Sequence, residues 1–368
     1  MSTMQINSRL RRIRAGWYAG AFVLVLGIAA QVLYSTGVYD SWRNGRTLDR
    51  ACDGTLAQGG LQAALHSSSL RAGQVDASGY VTACRVENQE SGARGGSLEV
   101  KLRWSTVAPP SDTLVWYSED STGIRDRTAP LGNGWPGVVR HDETSQVMVT
   151  LDCQNQKSKA LVAYGDLYGS DSGSALTGLG RVTTETARKA AAAHGCEVKA
   201  GKQLTRVSAP GGTDTAVPLK QTQGSCSALR DLAATATDSG TPSALETPSD
   251  ARAPQVNCYL VTGAKKPGYG LYAYYGAAAK DFLTSQGSSL KEGYGATHED
   301  KNYAWATATC PQSTQPAVFV LYLLHDRDTD TYPAGHYSAS FAASALKAFA
   351  AGETKQRGCT DARTATSS

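Results

Sequence analysis

Eight cysteines carry the clearest chemistry in this chain, and they fall into two sets of four with related spacing. The first two cysteines of each set are 32 residues apart, and the last two are 43 residues apart in one set and 49 in the other. Zinc sites usually draw ligands from close Cys-x-x-Cys pairs, which this sequence lacks, whereas an even cysteine count suits disulfides in an oxidising compartment. The first set is Cys52, Cys84, Cys153 and Cys196, and the second is Cys226, Cys258, Cys310 and Cys359.

This spacing predicts two consecutive copies of one disulfide-containing module. Four cysteines permit three pairings within each copy, and the sequence leaves the choice open. The simplest pairing joins neighbours along the chain, the first cysteine to the second and the third to the fourth. Closing a loop of 32 residues in this way would stabilise the fold by ~3–4 kcal/mol, because it restricts the unfolded chain.

Two short motifs resemble cofactor or catalytic sequences, but neither has the context that the chemistry needs. Gly132, Gly134 and Gly137 spell G-x-G-x-x-G without the preceding strand and following helix of a dinucleotide site. A turn that presents Trp135 is the better interpretation. Ser172 lies in an Asp-Ser-Gly sequence of the serine-peptidase type, but the sequence identifies no histidine as its base. We therefore predict no catalytic residues and no cofactor.

Acidic and histidine residues form two further patterns. Asp326, Asp328 and Asp330 alternate as in a calcium-binding loop, but Thr331 stands where an EF-hand requires glycine. His141 and His298 each precede the third cysteine of their copy by 12 residues and are followed by two acids, so each could titrate near neutral pH or hold a metal. Solvated turns explain both patterns, and we predict no metal site.

The two copies differ on the strand face opposite the cysteines. At matching positions copy one carries Lys101, Arg103, Gln146 and Met148, and copy two carries Tyr272, Tyr274, Tyr303 and Trp305. The first set is typical of a solvated face. Exposed aromatic clusters mark contact surfaces, so the second set predicts a site for a protein or glycan partner. Burial of these rings under a helix or under the other copy is the alternative.

Hydrophobic periodicity places these residues on elements. Leu98, Val100 and Leu102 alternate with charged residues, which predicts a strand with one buried face. Hairpin-like connections favour antiparallel pairing. An Ala-rich helix is predicted from Thr183 to Gly195. The fold class is therefore α+β, with each repeat an antiparallel sheet flanked by an N-terminal and a C-terminal helix.

A nearly continuous apolar stretch over 17–39 predicts a transmembrane helix, since 23 residues reach about 35 Å. Four arginines precede it, which places the N-terminus in the cytoplasm and the bulk of the chain outside. A cleaved signal peptide is the alternative. The predicted organisation is a cytoplasmic tail over 1–16, the membrane helix over 17–39, repeat 1 over 50–200, a linker over 201–222 that permits relative motion, repeat 2 over 223–360 and a disordered tail over 361–368.

Charge excludes one class of partner. The formal net charge is +4, and no dense basic stripe follows the N-terminal tail. Nucleic-acid binding depends on clustered phosphate neutralisation, so nucleic acid is not an expected partner.

The arginine-rich tail and anchor, Cys52-Asp53-Gly54, the segment over 131–137 and the Ala-rich helix before Cys196 together resemble a group of actinobacterial single-pass membrane-anchored proteins. The resemblance implies a location in the cell envelope and no particular chemistry. The expected function is that of a membrane-anchored, extracytoplasmic binding or scaffold protein. An envelope hydrolase with an unrecognised site and an accessory sensor subunit that acts through a membrane partner are the alternatives.

Overall fold

The computed structural model describes residues 45–89, 96–109, 127–141, 144–169, 172–211, 213–291, 302–311 and 313–364. They form two seven-stranded antiparallel sheets with helices, which confirms the predicted α+β class. The predicted membrane helix over 17–39 lies outside these residues. Among the helices that are described, none has both the length and the apolar composition that a membrane crossing requires.

Repeat 1 contains the first sheet, with strand order β1-β2-β3-β7-β6-β5-β4. Its strands are β1 Leu70–Gly73, β2 Thr82–Asn88, β3 Ser97–Trp104, β4 Thr128–Pro130, β5 Gly137–His141, β6 Ser145–Asp152 and β7 Ala160–Tyr168. The alternating residues Leu98, Val100 and Leu102 of β3 are fully buried on one face, as their periodicity predicts.

Repeat 2 contains the second sheet, with strand order β14-β12-β13-β11-β10-β9-β8. Its strands are β8 Val217–Pro218, β9 Ser243–Leu245, β10 Gln255–Val261, β11 Pro267–Tyr274, β12 Tyr303–Ala308, β13 Ala317–Leu323 and β14 Arg363–Thr364. The last strand pairs with β12, so Arg363 and Thr364 are ordered, although the sequence placed them in a disordered tail.

The two sheets share five strands in the same spatial order. The order β1-β2-β3-β7-β6 in repeat 1 corresponds to β9-β10-β11-β13-β12 in repeat 2. The repeats differ in the segment that comes before β6 in repeat 1 and before β12 in repeat 2. Repeat 1 inserts β4 and β5, which extend its sheet, whereas repeat 2 inserts a helix.

Residues 45–50 are α-helical, and the following α-helices accompany the strands after them: α1 Leu61–Leu65, α2 Gly173–Ala193, α3 Ala233–Asp238, α4 Gly276–Lys291 and α5 Ala339–Arg357. Helices α2 and α5 follow the last shared strand of their repeat and pack on its cysteine-bearing face. The predicted N-terminal helix of each repeat is short. Cys52 lies in a 3₁₀ turn with a left-handed φ of 51°, and Cys226 precedes a 3₁₀ helix over Ser227–Leu232.

Helix α2 begins ten residues before the predicted start at Thr183. Its N-cap is Ser172, whose hydroxyl accepts a hydrogen bond from the amide of Ala175 at 3.1 Å. Gly178 lies inside the helix despite its poor helix propensity. A Cβ there would lie 2.5 Å from the backbone nitrogen of Ala64, so the glycine permits close packing of α1 on α2.

Four disulfides join neighbouring cysteines: Cys52–Cys84, Cys153–Cys196, Cys226–Cys258 and Cys310–Cys359. This is the simplest of the pairings that the sequence left open. The first bridge of each repeat joins its first residues to a long strand, β2 in repeat 1 and β10 in repeat 2. The second bridge joins the end of β6 or β12 to the end of the helix that closes the repeat, α2 or α5.

The linker over 201–222 packs against repeat 1. The side chains of Leu204 and Val207 are 1% and 3% exposed. Arg181 of α2 donates to the carbonyl of Leu204 at 2.6 Å, and the hydroxyl of Thr177 accepts from the amide of Val207 at 3.1 Å. The apolar residues of the linker therefore cover α2, and relative motion of the repeats stays a prediction.

Candidate functional site

Helix α4 lies between the two sheets. It contacts β6 of repeat 1 on one side and β11 and β13 of repeat 2 on the other. Its Ala277, Ala278 and Ala279 favour helix formation and are small enough to be buried at these contacts. The helix therefore forms a middle layer that joins the repeats.

The aromatic residues predicted to bind a partner lie on the face that α4 covers. Tyr272 and Tyr274 are fully buried, Tyr303 is 7% exposed and Trp305 is half-buried. The ring of Phe282 from α4 stacks on Tyr274 with 4.4 Å between centroids. The expectation that these aromatic side chains face solvent is therefore wrong, because α4 covers them and large apolar rings favour burial.

The corresponding face of repeat 1 is also buried in part. Arg103 is fully buried, and its guanidinium forms an ion pair with Asp281 of α4 and a hydrogen bond of 3.0 Å with the hydroxyl of Tyr164. Met148 is 1% exposed. The expectation of a solvated face is therefore wrong for these residues, since repeat 2 covers them.

Burial dominates the electrostatics of this contact. Loss of hydration raises the pKa of Asp281 to about 6, although the charge and hydrogen bond of Arg103 and the charge of Lys280 oppose the rise. The two repeats are thus joined through a charged pair whose members both lie away from water.

Beyond α4, a row of polar side chains crosses five strands of repeat 1. The residues lie directly opposite one another in the register Arg85, Glu99, Asp166, Gln146 and Arg140. Arg85 pairs with Glu99 at 3.0 Å, and Gln146 donates to Asp166 at 2.7 Å. Burial raises the pKa of Asp166. Both acids of the row thus have a polar partner on the neighbouring strand, and these pairs help to hold the strands together.

A cleft opens between the repeats, beside the N-terminus of α4. Its larger cavity has a volume of about 700 Å³ and adjoins a second cavity of about 340 Å³, with Asp152, Gln154 and Lys199 lining both. The walls are the β6–β7 turn of repeat 1 and the β12–β13 turn of repeat 2. These turns occupy equivalent places, since each follows the third cysteine of its repeat.

Four lysines line the larger cavity: Lys157, Lys159, Lys199 and Lys280. Within the described ranges none of them forms an ion pair. Two are held in place without losing their charge. The ammonium of Lys159 lies 3.8 Å from the ring centroid of Trp104, and that of Lys280 donates to the carbonyl of Ser105 at 2.6 Å. Positive charge therefore converges on the cleft.

One acid moderates this charge. Asp152 ends β6 and lines both cavities. Loss of hydration raises the pKa of its carboxyl group. Arg252 and Arg357 line the smaller cavity, and their guanidiniums donate to the backbone carbonyls of Gly134 and Ala251. The basic residues that line the larger cavity are all lysines.

The other residues singled out from the sequence have structural partners. Trp135 is fully buried, and its indole donates to the carbonyl of Lys202 at 2.6 Å. Asp326 pairs with Lys266, and His141 bonds to Ser145 at 2.8 Å. No group of three potential metal ligands occurs in the described part of the chain. His298 and the acids beside both histidines lie outside it.

Ser172 of the Asp-Ser-Gly sequence does meet a histidine. The Nε2 atom of His66 lies 2.8 Å from its hydroxyl oxygen, within the distance that base activation of a nucleophile requires. The same hydroxyl caps α2. His66 comes from the end of α1, more than a hundred residues away in sequence, which is why the sequence did not reveal the pair.

Sequence reasoning also missed the cleft lysines. A signal for two of them is present in the copy-to-copy comparison. The turns after Cys153 and Cys310 have equal length, but the first contains Lys157 and Lys159 and the second contains no charged residue. Lys199 and Lys280 reach the cleft through the tertiary fold alone.

Comparison of this chain with protein-family models, curated proteins and solved structures finds no match.

Proposed function

We propose that this protein is a membrane-anchored, extracytoplasmic binding or scaffold protein of the cell envelope. In this proposal the chain is held to the bilayer through residues 17–39, and the described repeats bind a partner in the cleft between them. Four disulfides support an oxidising location. The observation that carries the binding role is the cleft itself, whose larger cavity is lined by four lysines at the junction of two repeats.

The aromatic residues do not supply the binding surface in this proposal. Tyr272 and Tyr274 stabilise the joint between the repeats through α4. A cleft formed by turns of both repeats is a better candidate, since concave sites between domains are common places for ligands.

A steric block of the cleft tests this function. Gln154 is exposed and lines both cavities, so Gln154→Trp should fill the space without changing its charge. We expect the full chain, purified in detergent, to retain an envelope component that the Gln154→Trp variant does not retain. Gln62→Trp places the same bulk on an exposed position of α1 and is the matched control. Equal retention by both variants would contradict binding in the cleft.

The contact between His66 and Ser172 favours a second candidate function, that of a serine hydrolase. Ser172 would attack an acyl carbon and pass its proton to His66, which would then protonate the leaving group. Labelling of the full chain with a fluorophosphonate, with Ser172→Ala as the control, tests this candidate. Labelling that survives the substitution, or no labelling of the native chain, rejects it.

A further inference from the structure

We infer that the ligand of the cleft bears phosphate groups, an assignment that rests on the proposed binding function. The first reason is charge. Lys157, Lys159, Lys199 and Lys280 line one cavity together with a single acid, Asp152. These four charges line one cavity at the junction of the repeats, and a cleft lined by one sign of charge attracts the opposite ion.

The type of base suits phosphate. Lysine binds phosphate as a point charge, and the larger cavity is lined by four lysines and no arginine.

The N-terminus of α4 adds a third element. Gly276 and Ala277, the first two residues of this 16-residue helix, line the same cavity as the lysines. The first amides of a helix lack intrahelical acceptors, and the helix dipole places partial positive charge there. The residues that begin the helix and the four lysines therefore line one cavity, and helix N-termini and lysines are both groups that bind phosphate in proteins.

The shape of the site points to more than one phosphate group. The cavities of about 700 and 340 Å³ adjoin along the junction, and the lysines come from the β6–β7 turn, the segment after Cys196 and α4. A chain of linked phosphates, either a phosphodiester polymer or a cluster of lipid headgroups, can reach several of them together.

Binding of tripolyphosphate to the full chain, measured by isothermal titration calorimetry at low salt, tests the inference. Lys157 and Lys199 are exposed, and neither has a hydrogen bond or ion pair in the described structure, so Lys157→Gln with Lys199→Gln should leave the fold intact. We expect this double variant to raise the Kd by about tenfold or more. The matched control is Lys220→Gln with Lys347→Gln, two exposed lysines away from the cleft.

Unchanged affinity in the cleft variant, or an equal loss in the control variant, would overturn the inference. Competition then identifies the source of the phosphate. Displacement of tripolyphosphate by phosphatidic acid vesicles supports lipid headgroups, and displacement by poly(glycerol phosphate) supports a polymer. Equally tight binding of polyglutamate would overturn phosphate selectivity.

The steric variant separates this inference from the function on which it rests. If Gln154→Trp abolishes retention of the envelope component while the double lysine variant still retains it, the cleft binds a ligand but does not recognise it through phosphate groups. If neither variant affects retention, the proposed function itself fails.

Discussion

The two repeats share one strand order and one disulfide pattern, yet their inner faces and their equivalent turns differ. Repeat 1 presents Arg103 within a polar face, whereas repeat 2 presents tyrosines covered by its own inserted helix. The inserted helix meets both faces, with Phe282 on the aromatic side and Asp281 on the charged side. The two repeats thus share a strand order, but their inner faces are complementary to opposite sides of one helix.

The equivalent turns show the same divergence on a smaller scale. The turn after Cys153 contains two lysines, and the turn after Cys310 contains none. Both turns line one cleft. The cleft therefore has one basic turn and one neutral turn.

The largest expected effect comes from breaking the ion pair that joins the repeats. Arg103→Met leaves the carboxyl group of Asp281 without its partner in a buried position. We expect a loss of ~3–5 kcal/mol in the free energy of unfolding at neutral pH, measured by urea denaturation of the full chain. Arg103→Met combined with Asp281→Leu should recover most of it. A double variant as unstable as the single one would show that the charges are not coupled.

The equivalence of the repeats predicts equal effects for their first disulfides. Cys52–Cys84 and Cys226–Cys258 both have a sequence separation of 32, so replacing either pair with alanine should cost ~3.5–4 kcal/mol in the chain-entropy model. Urea denaturation of both double variants provides the measurement. Costs that differ by more than about 2 kcal/mol would show that loop closure is not the main contribution.

Acidification tests the joint between the repeats without a large change in packing. Because the pKa of Asp281 is raised to about 6, the folded protein holds this proton more tightly than the unfolded chain. Protonation of Asp281 therefore adds to the free energy of unfolding. This contribution is complete below about pH 4 and is lost as the pH rises through about 6, a change of up to ~3 kcal/mol. Asp281→Asn should remove this part of the pH dependence of the unfolding free energy. Identical pH profiles for the variant and the native chain would contradict the assignment.

The smallest effect concerns the neutral turn of the cleft. Thr314 is exposed on the β12–β13 turn and lines the larger cavity. Thr314→Lys gives repeat 2 the charge that repeat 1 already has, and should tighten tripolyphosphate binding about two- to fivefold at low salt. Gln62→Lys, on an exposed position of α1, is the matched control, and equal tightening by it would assign the gain to overall charge.

Much of the fold follows from local sequence. Cysteine spacing predicts the duplicated module, and alternation predicts strands such as β3, whose Leu98, Val100 and Leu102 are buried on one face. The start of α2 could not be predicted from local preference. Gly178 lowers helix propensity, but its contact with α1 depends on residues far away in sequence.

The joint and the cleft depend on tertiary contacts that no local pattern encodes. Arg103 on an alternating strand is typical of a solvated position, and only the placement of α4 makes it a buried ion-pair partner. For the same reason, the tyrosines of repeat 2 could be predicted as a cluster but not as a covered one. Lys280 lies 121 residues from Lys159 in sequence, so their shared cavity appears only in three dimensions.

The central claim, that one basic cleft between the repeats binds phosphate, can be tested most directly by locating a bound oxyanion. Crystals of the full chain soaked in tungstate, a heavy analogue of phosphate, would give an anomalous diffraction signal at each binding position. We predict the strongest peak in the larger cavity, within reach of the Lys157, Lys199 or Lys280 ammonium groups. A strongest peak elsewhere on the protein, with no signal in the cleft, would contradict the account.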